Sequence, residues 1–270
     1  YSNKKTPLLN QGINLENELR KAIKHKELTV HYQPKICVKT QRIYGFEALV
    51  RWQHPTLGYI LPDIFIPLAE ETSLISDIGL IVLHETCKQI QQWQSLGFDH
   101  FRVSINIVAQ QIYRGQLVKD IDYALKKYNI SGDMLELELT ESSLFDKSEE
   151  VNFLLQQLKD RHISISLDDF GTGYSSLAYL TSYPFDILKI DRAFISKIGQ
   201  EKDEAIVNAI IAMGNAIGIT LVAEGVETKE QALFLQKHGC YILQGFYFSK
   251  ALSSADSTKY LEQHKLIKIC

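Results

Sequence analysis

The apolar positions change period along the chain, and the changes outline the fold. From Leu15 to Lys26 they recur at helical spacing, the pattern of one buried helix face. Two β-like runs follow, LTVHYQP (28–34) and IYGFEALVRW (43–52). About eight residues separate them, too few for a parallel crossover, which takes roughly a dozen or more. The spacing predicts an antiparallel hairpin. Helical stretches at about 76–97, 109–128, 147–160, 204–217 and 228–238 then alternate with short β-rich runs. These are FRVSINIV (101–108), LELELTE (135–141), SISLDDF (164–170), ILKID (187–191), TLVAEGV (220–226) and YILQGF (241–246). With the hairpin they make eight strands. Strand–helix alternation implies a mainly parallel sheet, and eight strands in about 250 residues suit a closed α/β barrel. A doubly wound open sheet is the alternative, but no GxGxxG turn or P-loop follows any strand. The polar start with Pro7 reads as a linker over residues 1–13, which leaves 14–270 as one domain.

The two faces of the strands differ in chemistry. Val103, Ile105 and Ile107 share one face, and Ser104 and Asn106 the other. Leu135, Leu137 and Leu139 oppose Glu136 and Glu138; Ile163, Ile165 and Leu167 oppose Ser164, Ser166 and Asp168. Leu188 and Ile190 oppose Lys189 and Asp191, Ala223 opposes Glu224, and Leu243 opposes Gln244. Side chains alternate across a strand, so the apolar face meets the helices and the polar face lines the barrel. The polar groups cluster toward the C-terminal strand ends, where barrel active sites are built.

Glu47, Glu138, Asp168, Asp169 and Glu224 are then five carboxylates aimed at one small volume. Buried charges need partners or metal, and crowded carboxylates raise one another's pKa unless a cation intervenes. An oxygen donor set that includes the Asn106 amide suits Mg²⁺ or Mn²⁺ better than Zn²⁺. Adjacent Asp168 and Asp169 suit a pair of ions about 3.5–4 Å apart, as in two-metal phosphoryl chemistry. Lys189 and Arg51 offer positive charge to a phosphate, and Arg51 shares the face of Glu47. With the turn centred near Thr40, Gln33 pairs across from Glu47 and also points inward.

Composition narrows the partners. Of 270 residues, 45% are hydrophobic and 23% charged, with a net charge of −3, which argues for a folded domain. No basic run offers the clustered Lys and Arg that duplex nucleic acid requires. Cys37, Cys87, Cys240 and Cys270 are far apart in sequence and read as reduced thiols. No apolar run reaches the ~18 residues of a membrane helix, and no signal peptide opens the chain. The expected location is the cytoplasm, with membrane tethering only through segments outside this chain.

The same residues carry a family resemblance. YQP (32–34), EALVR (47–51), SINIVAQQ (104–111), ELTES (138–142), DDFGTGYSSL (168–177), KID (189–191), AEGVET (223–228) and QGF (244–246) occur in this order. Together they resemble the EAL domain, named for the tripeptide that stands here as Glu47-Ala48-Leu49. The resemblance implies a modified TIM (β/α)8 barrel with an antiparallel first strand. It also implies Mg²⁺- or Mn²⁺-dependent hydrolysis of cyclic di-GMP to linear pGpG, with two ions per site. Glu47, Asn106, Glu138 and Asp168 are implied as ligands of one ion, and Asp168 and Asp169 as ligands of the other, with Glu224 nearby as a ligand or a water-positioning group. Glu47, Lys189 and Glu224 are the implied catalytic residues. Gln33, Leu49, Arg51, Asp191 and Gln244 are the implied substrate contacts. The loop after Asp169 is expected to border a homodimer interface, anchored by Thr140, Glu141 and Glu227. The sequence departs from the family habit at Ser73, often Gly, at Phe246, often Tyr, and at Ala251, often Pro. A non-catalytic cyclic di-GMP receptor remains the alternative function, although such receptors usually lack one or more ligands that are present here. An upstream sensory or GGDEF-like domain is the expected partner in the chain.

Overall fold

The computed structural model describes residues 14–141, 149–170, 180 and 182–264. The linker expected over 1–13 lies outside them. The first helix, α1 (Leu15–His25), starts where Asn14 accepts from the Asn17 N–H at 3.2 Å, an N-cap. Two long strands, β1 (Leu28–Cys37) and β2 (Arg42–His54), pair antiparallel, with Gln33 opposite Glu47 as the turn position requires. A short strand, β3 (Gly58–Ile60), folds back on the end of β2.

After α2 (Pro62–Glu71) and α3 (Ile75–Ser95), strands and helices alternate. The strands are β4 (Arg102–Ile107), β5 (Leu135–Thr140), β6 (Ser164–Phe170), β7 (Ile187–Ile190), β8 (Thr220–Ala223) and β9 (Ile242–Leu243). Neighbours run in the order β1-β9-β8-β7-β6-β5-β4-β2, and β1 pairs back with β2 to close an eight-stranded barrel. β1 is antiparallel to both of its neighbours, whereas the other barrel pairings are parallel. The α/β barrel with an antiparallel first strand is therefore the observed fold.

The intervening helices are α4 (Ala109–Tyr113), α5 (Leu117–Tyr128), α6 (Glu149–Lys159), α7 (Arg192–Ile195), α8 (Glu201–Ile217), α9 (Lys229–His238) and α10 (Ser254–Gln263). The single helix expected over 109–128 is broken in two, with Gly115 at φ +68° between the pieces. The helix α2 escapes the periodicity because Pro67 sits inside it, and proline normally argues against a helix interior. Pro62 at its first turn is well placed, since that N–H has no partner to lose.

The barrel interior is layered. The β1–β2 ladder slips between Lys35 and Ile36. Below that slip Tyr44 joins Ile187, Val222 and Ile242 in an apolar cluster separate from the main core. By alternation the last three share faces with Lys189, Glu224 and Gln244, so this cluster floors the barrel beneath the polar residues. Outside, Trp93 of α3 packs against Tyr32, Phe46 and Phe101. Cys37, Cys87 and Cys240 are buried and free, as expected.

Ser73, where the family often has Gly, is exposed and adopts φ +59°. A left-handed backbone costs an L-residue roughly 1–2 kcal/mol, and here no side-chain burial offsets it. Ser73→Gly should therefore stabilise the fold by about 0.5–1 kcal/mol after allowance for the looser unfolded chain. Urea unfolding should show a higher midpoint at unchanged slope; an unchanged or lower midpoint would contradict the strain argument.

Candidate active site

Strand alternation delivers the polar face to the barrel interior. Ser104, Glu136, Glu138, Ser164, Ser166, Asp168 and Lys189 are buried, while Ile105, Leu137, Ile165 and Leu188 join the outer core. Parallel register sets Asn106 beside Glu138 and Thr140 beside Asp168.

Lys189 is the hub. Its Nζ lies 2.5 Å from Glu138 Oε2, 3.0 Å from Asp168 Oδ2 and 2.6 Å from Glu224 Oε1. Glu47 is held from both sides, by Asn106 Nδ2 at 3.0 Å on Oε1 and by Gln244 Nε2 at 2.6 Å on Oε2. Gln244 Nε2 also reaches Gln33 Oε1 at 3.2 Å, and Gln33 donates to the Ser249 carbonyl at 3.0 Å. One layer deeper, Lys35 Nζ pairs with Glu136 Oε1 at 3.0 Å and with Glu138 Oε1 at 2.9 Å. Sequence reasoning gave Lys35 and Glu136 no role. The signal was present: Lys35 follows Gln33 by two residues on β1, and Glu136 precedes Glu138 by two on β5.

Local structure explains the precision. Gly245 approaches the Val226 backbone so closely that a Cβ there would sit 2.1 Å from the Val226 carbonyl oxygen, which fixes where Gln244 leaves β9. The Glu224 N–H donates to the Ile190 carbonyl at 3.0 Å. The following loop is pinned at the start of α9, where the Gln231 side chain accepts from the Glu227 and Thr228 N–H groups at 2.8 and 3.1 Å.

The adjacent aspartates part company. The β6–β7 ladder slips between Leu167 and Phe170, and Asp169 takes φ +55°, a conformation Asp tolerates better than most residues. Its N–H donates to Asp168 Oδ1 at 2.9 Å. Asp168 stays inside, and Asp169 is exposed at the rim.

Other expected residues ring the mouth. Arg51 is half-buried and, with Leu49, Asn106 and Thr140, lines a cavity of about 290 Å³. Gln33, Glu47, Leu49, Glu224 and Gln244 line a second cavity of about 230 Å³. Leu49 borders both, so the mouth has two lobes. Arg192, which sequence reasoning passed over, lines the second lobe and pairs with Glu227 at 2.7 Å. Asp191 accepts from the Ala193 N–H at 2.8 Å and caps α7, a local role beside the expected substrate contact. Glu141 is buried at the end of β5. The loop 171–177 that Thr140, Glu141 and Glu227 were expected to anchor lies outside the described residues.

The electrostatics show an excess of negative charge. Burial, with Glu138 and Asp168 nearby, raises the Glu47 pKa above the usual carboxylate range. Burial and the neighbouring Asp168, Glu47 and Glu138 raise Glu224 well above it, despite Lys189. Partial burial and the carboxylates of Asp168 and Asp191 raise Asp169. Glu138 is the exception: against its own burial, the ammonium groups of Lys189 and Lys35 hold it well below the usual value. The reciprocal attraction overcomes burial at both lysines and raises them, Lys189 strongly.

Among the described residues no three carboxylate, imidazole or thiol groups form a ready-made ion cage; the acids are gathered on Lys189 instead. The donor chemistry nonetheless fits hard divalent cations, because it is oxygen throughout. Six carboxylates (Glu47, Glu136, Glu138, Asp168, Asp169 and Glu224) face the ammonium groups of Lys35 and Lys189. Fully ionised, they leave four negative charges, which two divalent ions would balance.

The EAL domain family model matches residues 16–251. Over 256 residues the chain is 40% identical to the cyclic di-GMP phosphodiesterase NbdA of Pseudomonas aeruginosa, covering 94% of this chain and 33% of that protein. It is 42% identical to the bifunctional diguanylate cyclase/cyclic di-GMP phosphodiesterase MucR of the same organism, covering 90% of this chain and 36% of MucR. The chain thus spans about a third of the length of these curated relatives. A solved structure of the PaMucR phosphodiesterase in complex with c-di-GMP superposes with a TM-score of 0.87 at 41% identity, covering 91% of this chain and 100% of that one. The EAL domain of Mycobacterium smegmatis DcpA gives 0.78 at 33% identity, covering 89% and 100%. Among the described residues no helix is long and apolar enough to cross a membrane. In sequence and in fold, this chain belongs to the EAL domain family.

Proposed function

We propose that this chain hydrolyses cyclic di-GMP to linear pGpG at the C-terminal mouth of its barrel, with Mg²⁺ or Mn²⁺. The observation that carries the reading is the gathering of Glu138, Asp168 and Glu224 on Lys189 beside Glu47, an acid cluster in excess of its cations and next to Arg51. Relatives named as cyclic di-GMP phosphodiesterases supply the substrate class.

Glu47, Asn106, Glu138 and Asp168 would hold one ion, and Asp168, Asp169 and Glu224 the second. When bound, such ions lower the pKa of water and neutralise charge on a phosphate. In the reaction one water adds across a phosphodiester: a new P–O bond forms, the P–O3′ bond breaks, and the ribose 3′-oxygen leaves with a proton. Lys189 carries its charge firmly because four carboxylates surround it. It acts as an electrostatic anchor for the attacking water and the phosphoryl oxygens. Arg51 grips a non-bridging phosphate oxygen with its planar fork. Leu49 lines both lobes of the mouth and contacts the substrate there. Gln244 holds Glu47 and is itself joined to Gln33; both glutamines contact the nucleotide edge, as does Asp191. The partners we propose are a second copy of the chain, docked through the region after Asp169, and an upstream sensory or diguanylate-cyclase-like domain. The location we propose is the cytoplasm.

Purified chain mixed with cyclic di-GMP and Mg²⁺ or Mn²⁺ should yield pGpG by chromatography, and a chelator should stop it. Ca²⁺ should sustain binding but not turnover, because it prefers looser, higher coordination. Binding without product under both Mg²⁺ and Mn²⁺ would leave only the receptor reading. Glu47→Ala should abolish turnover, whereas Arg51→Ala should raise KM about ten- to hundredfold by removing a charged hydrogen bond of roughly 1.5–3 kcal/mol. Equal effects of both variants on kcat alone would overturn the assigned roles. Sedimentation at micromolar concentration should show a dimer; a single monomeric species of full activity would remove the second copy from the proposal.

A further inference from the structure

We propose that Lys35 is a positioning residue for the cation site, acting through Glu138 and with Glu136 as its own counter-ion. The inference rests on the metal-dependent reading above. Lys35 is almost completely buried, 1% exposed, and stands one layer beneath the mouth. Its two ion pairs, to Glu136 at 3.0 Å and Glu138 at 2.9 Å, are equally buried. A buried ammonium is expensive unless fully paired, and simple barrel packing would be served as well by an apolar side chain like those of the floor, Ile187, Val222 and Ile242.

The geometry gives the lysine a specific task. Glu138 Oε1 accepts from Lys35 and Oε2 from Lys189. The two contacts approach different oxygens, so the carboxylate plane is fixed. Lys35 occupies Oε1 from the deeper layer, so Oε2, which Lys189 also contacts, is the oxygen that Lys35 leaves for the cation site. A cation held by Glu138 would meet a carboxylate whose orientation is already set. Glu136 offsets the charge of Lys35, so the pair orients Glu138 without a net positive charge that would repel a dication. Partners that orient ligands in this way typically contribute about ten- to hundredfold in metal affinity.

The test removes the pair together, since Lys35→Met alone strands the buried Glu136. The double variant K35M/E136Q keeps the volume and should unfold within a few degrees of the parent. Mn²⁺ binding, read from the loss of the free-ion electron paramagnetic resonance signal without substrate, should weaken about ten- to hundredfold. Turnover should recover as Mn²⁺ is raised, with the KM for cyclic di-GMP unchanged. Should the double variant fail to fold, K35Q/E136Q, which keeps an N–H donor at position 35 and leaves no stranded carboxylate at 136, takes its place with the same readout and a smaller expected loss. Unchanged Mn²⁺ affinity in the folded variant would overturn the role of Lys35 alone. Absence of Mn²⁺ binding by the parent would instead overturn the metal-dependent reading itself.

Discussion

The structure depends on how negative charge is held inside a closed barrel. Glu138 is completely enclosed, and burial of a lone carboxylate would drive it to the neutral form. It stays ionised because two ammonium groups, from Lys189 on β7 and Lys35 on β1, grip separate oxygens. These residues come from three strands, so the charge network is also a tie across the barrel. Removing one partner would leave an uncompensated buried charge, a loss of roughly 3–5 kcal/mol in comparable cases. The network therefore constrains the mouth geometry and couples it to the integrity of the fold.

The layers above and below follow from this constraint. The apolar floor of Tyr44, Ile187, Val222 and Ile242 closes the barrel and lowers the local dielectric beneath the charged side chains. Above it the Lys35–Glu136 pair is neutral as a unit. Only in the upper layer do acids exceed bases, and there Glu47 and Glu224 both carry raised pKa values. The excess sits at the C-terminal strand ends, open to ligands, and not in the sealed interior. Charge balance thus divides the barrel into a structural half and a reactive half.

Much of this was legible before any coordinates. Loop length alone set β1 antiparallel to β2, and a turn near Thr40 paired Gln33 with Glu47. Alternation sorted Glu138, Asp168 and Lys189 inward from Leu137, Leu167 and Leu188. It failed where backbone departs from regular pleating: Asp169 reaches the rim only because the strand slips and its φ turns positive. The helix α2 was hidden by Pro67, whose lost hydrogen bond is offset by burial of Phe65 and Ala69. Lys35 was overlooked for a different reason. One lysine on a strand carries no sign of its partners, and those lie 101 and 103 residues away in sequence. Only closure of the barrel brings them together.

The same charge accounting bears on how the site would choose between protons and cations. Carboxylates whose pKa is raised by one another relieve their repulsion either by protonation or by binding a positive ion. Glu138 cannot take the first route readily, because Lys35 and Lys189 already satisfy both of its oxygens with positive charge. Glu47 and Glu224 can, since burial and their neighbours favour the neutral form. A divalent ion entering the mouth would therefore find one ligand permanently ionised and oriented, and would displace protons from the others. Orienting a single carboxylate from beneath, while its neighbours stay free to exchange protons for a cation, would give an incoming divalent ion a defined first contact.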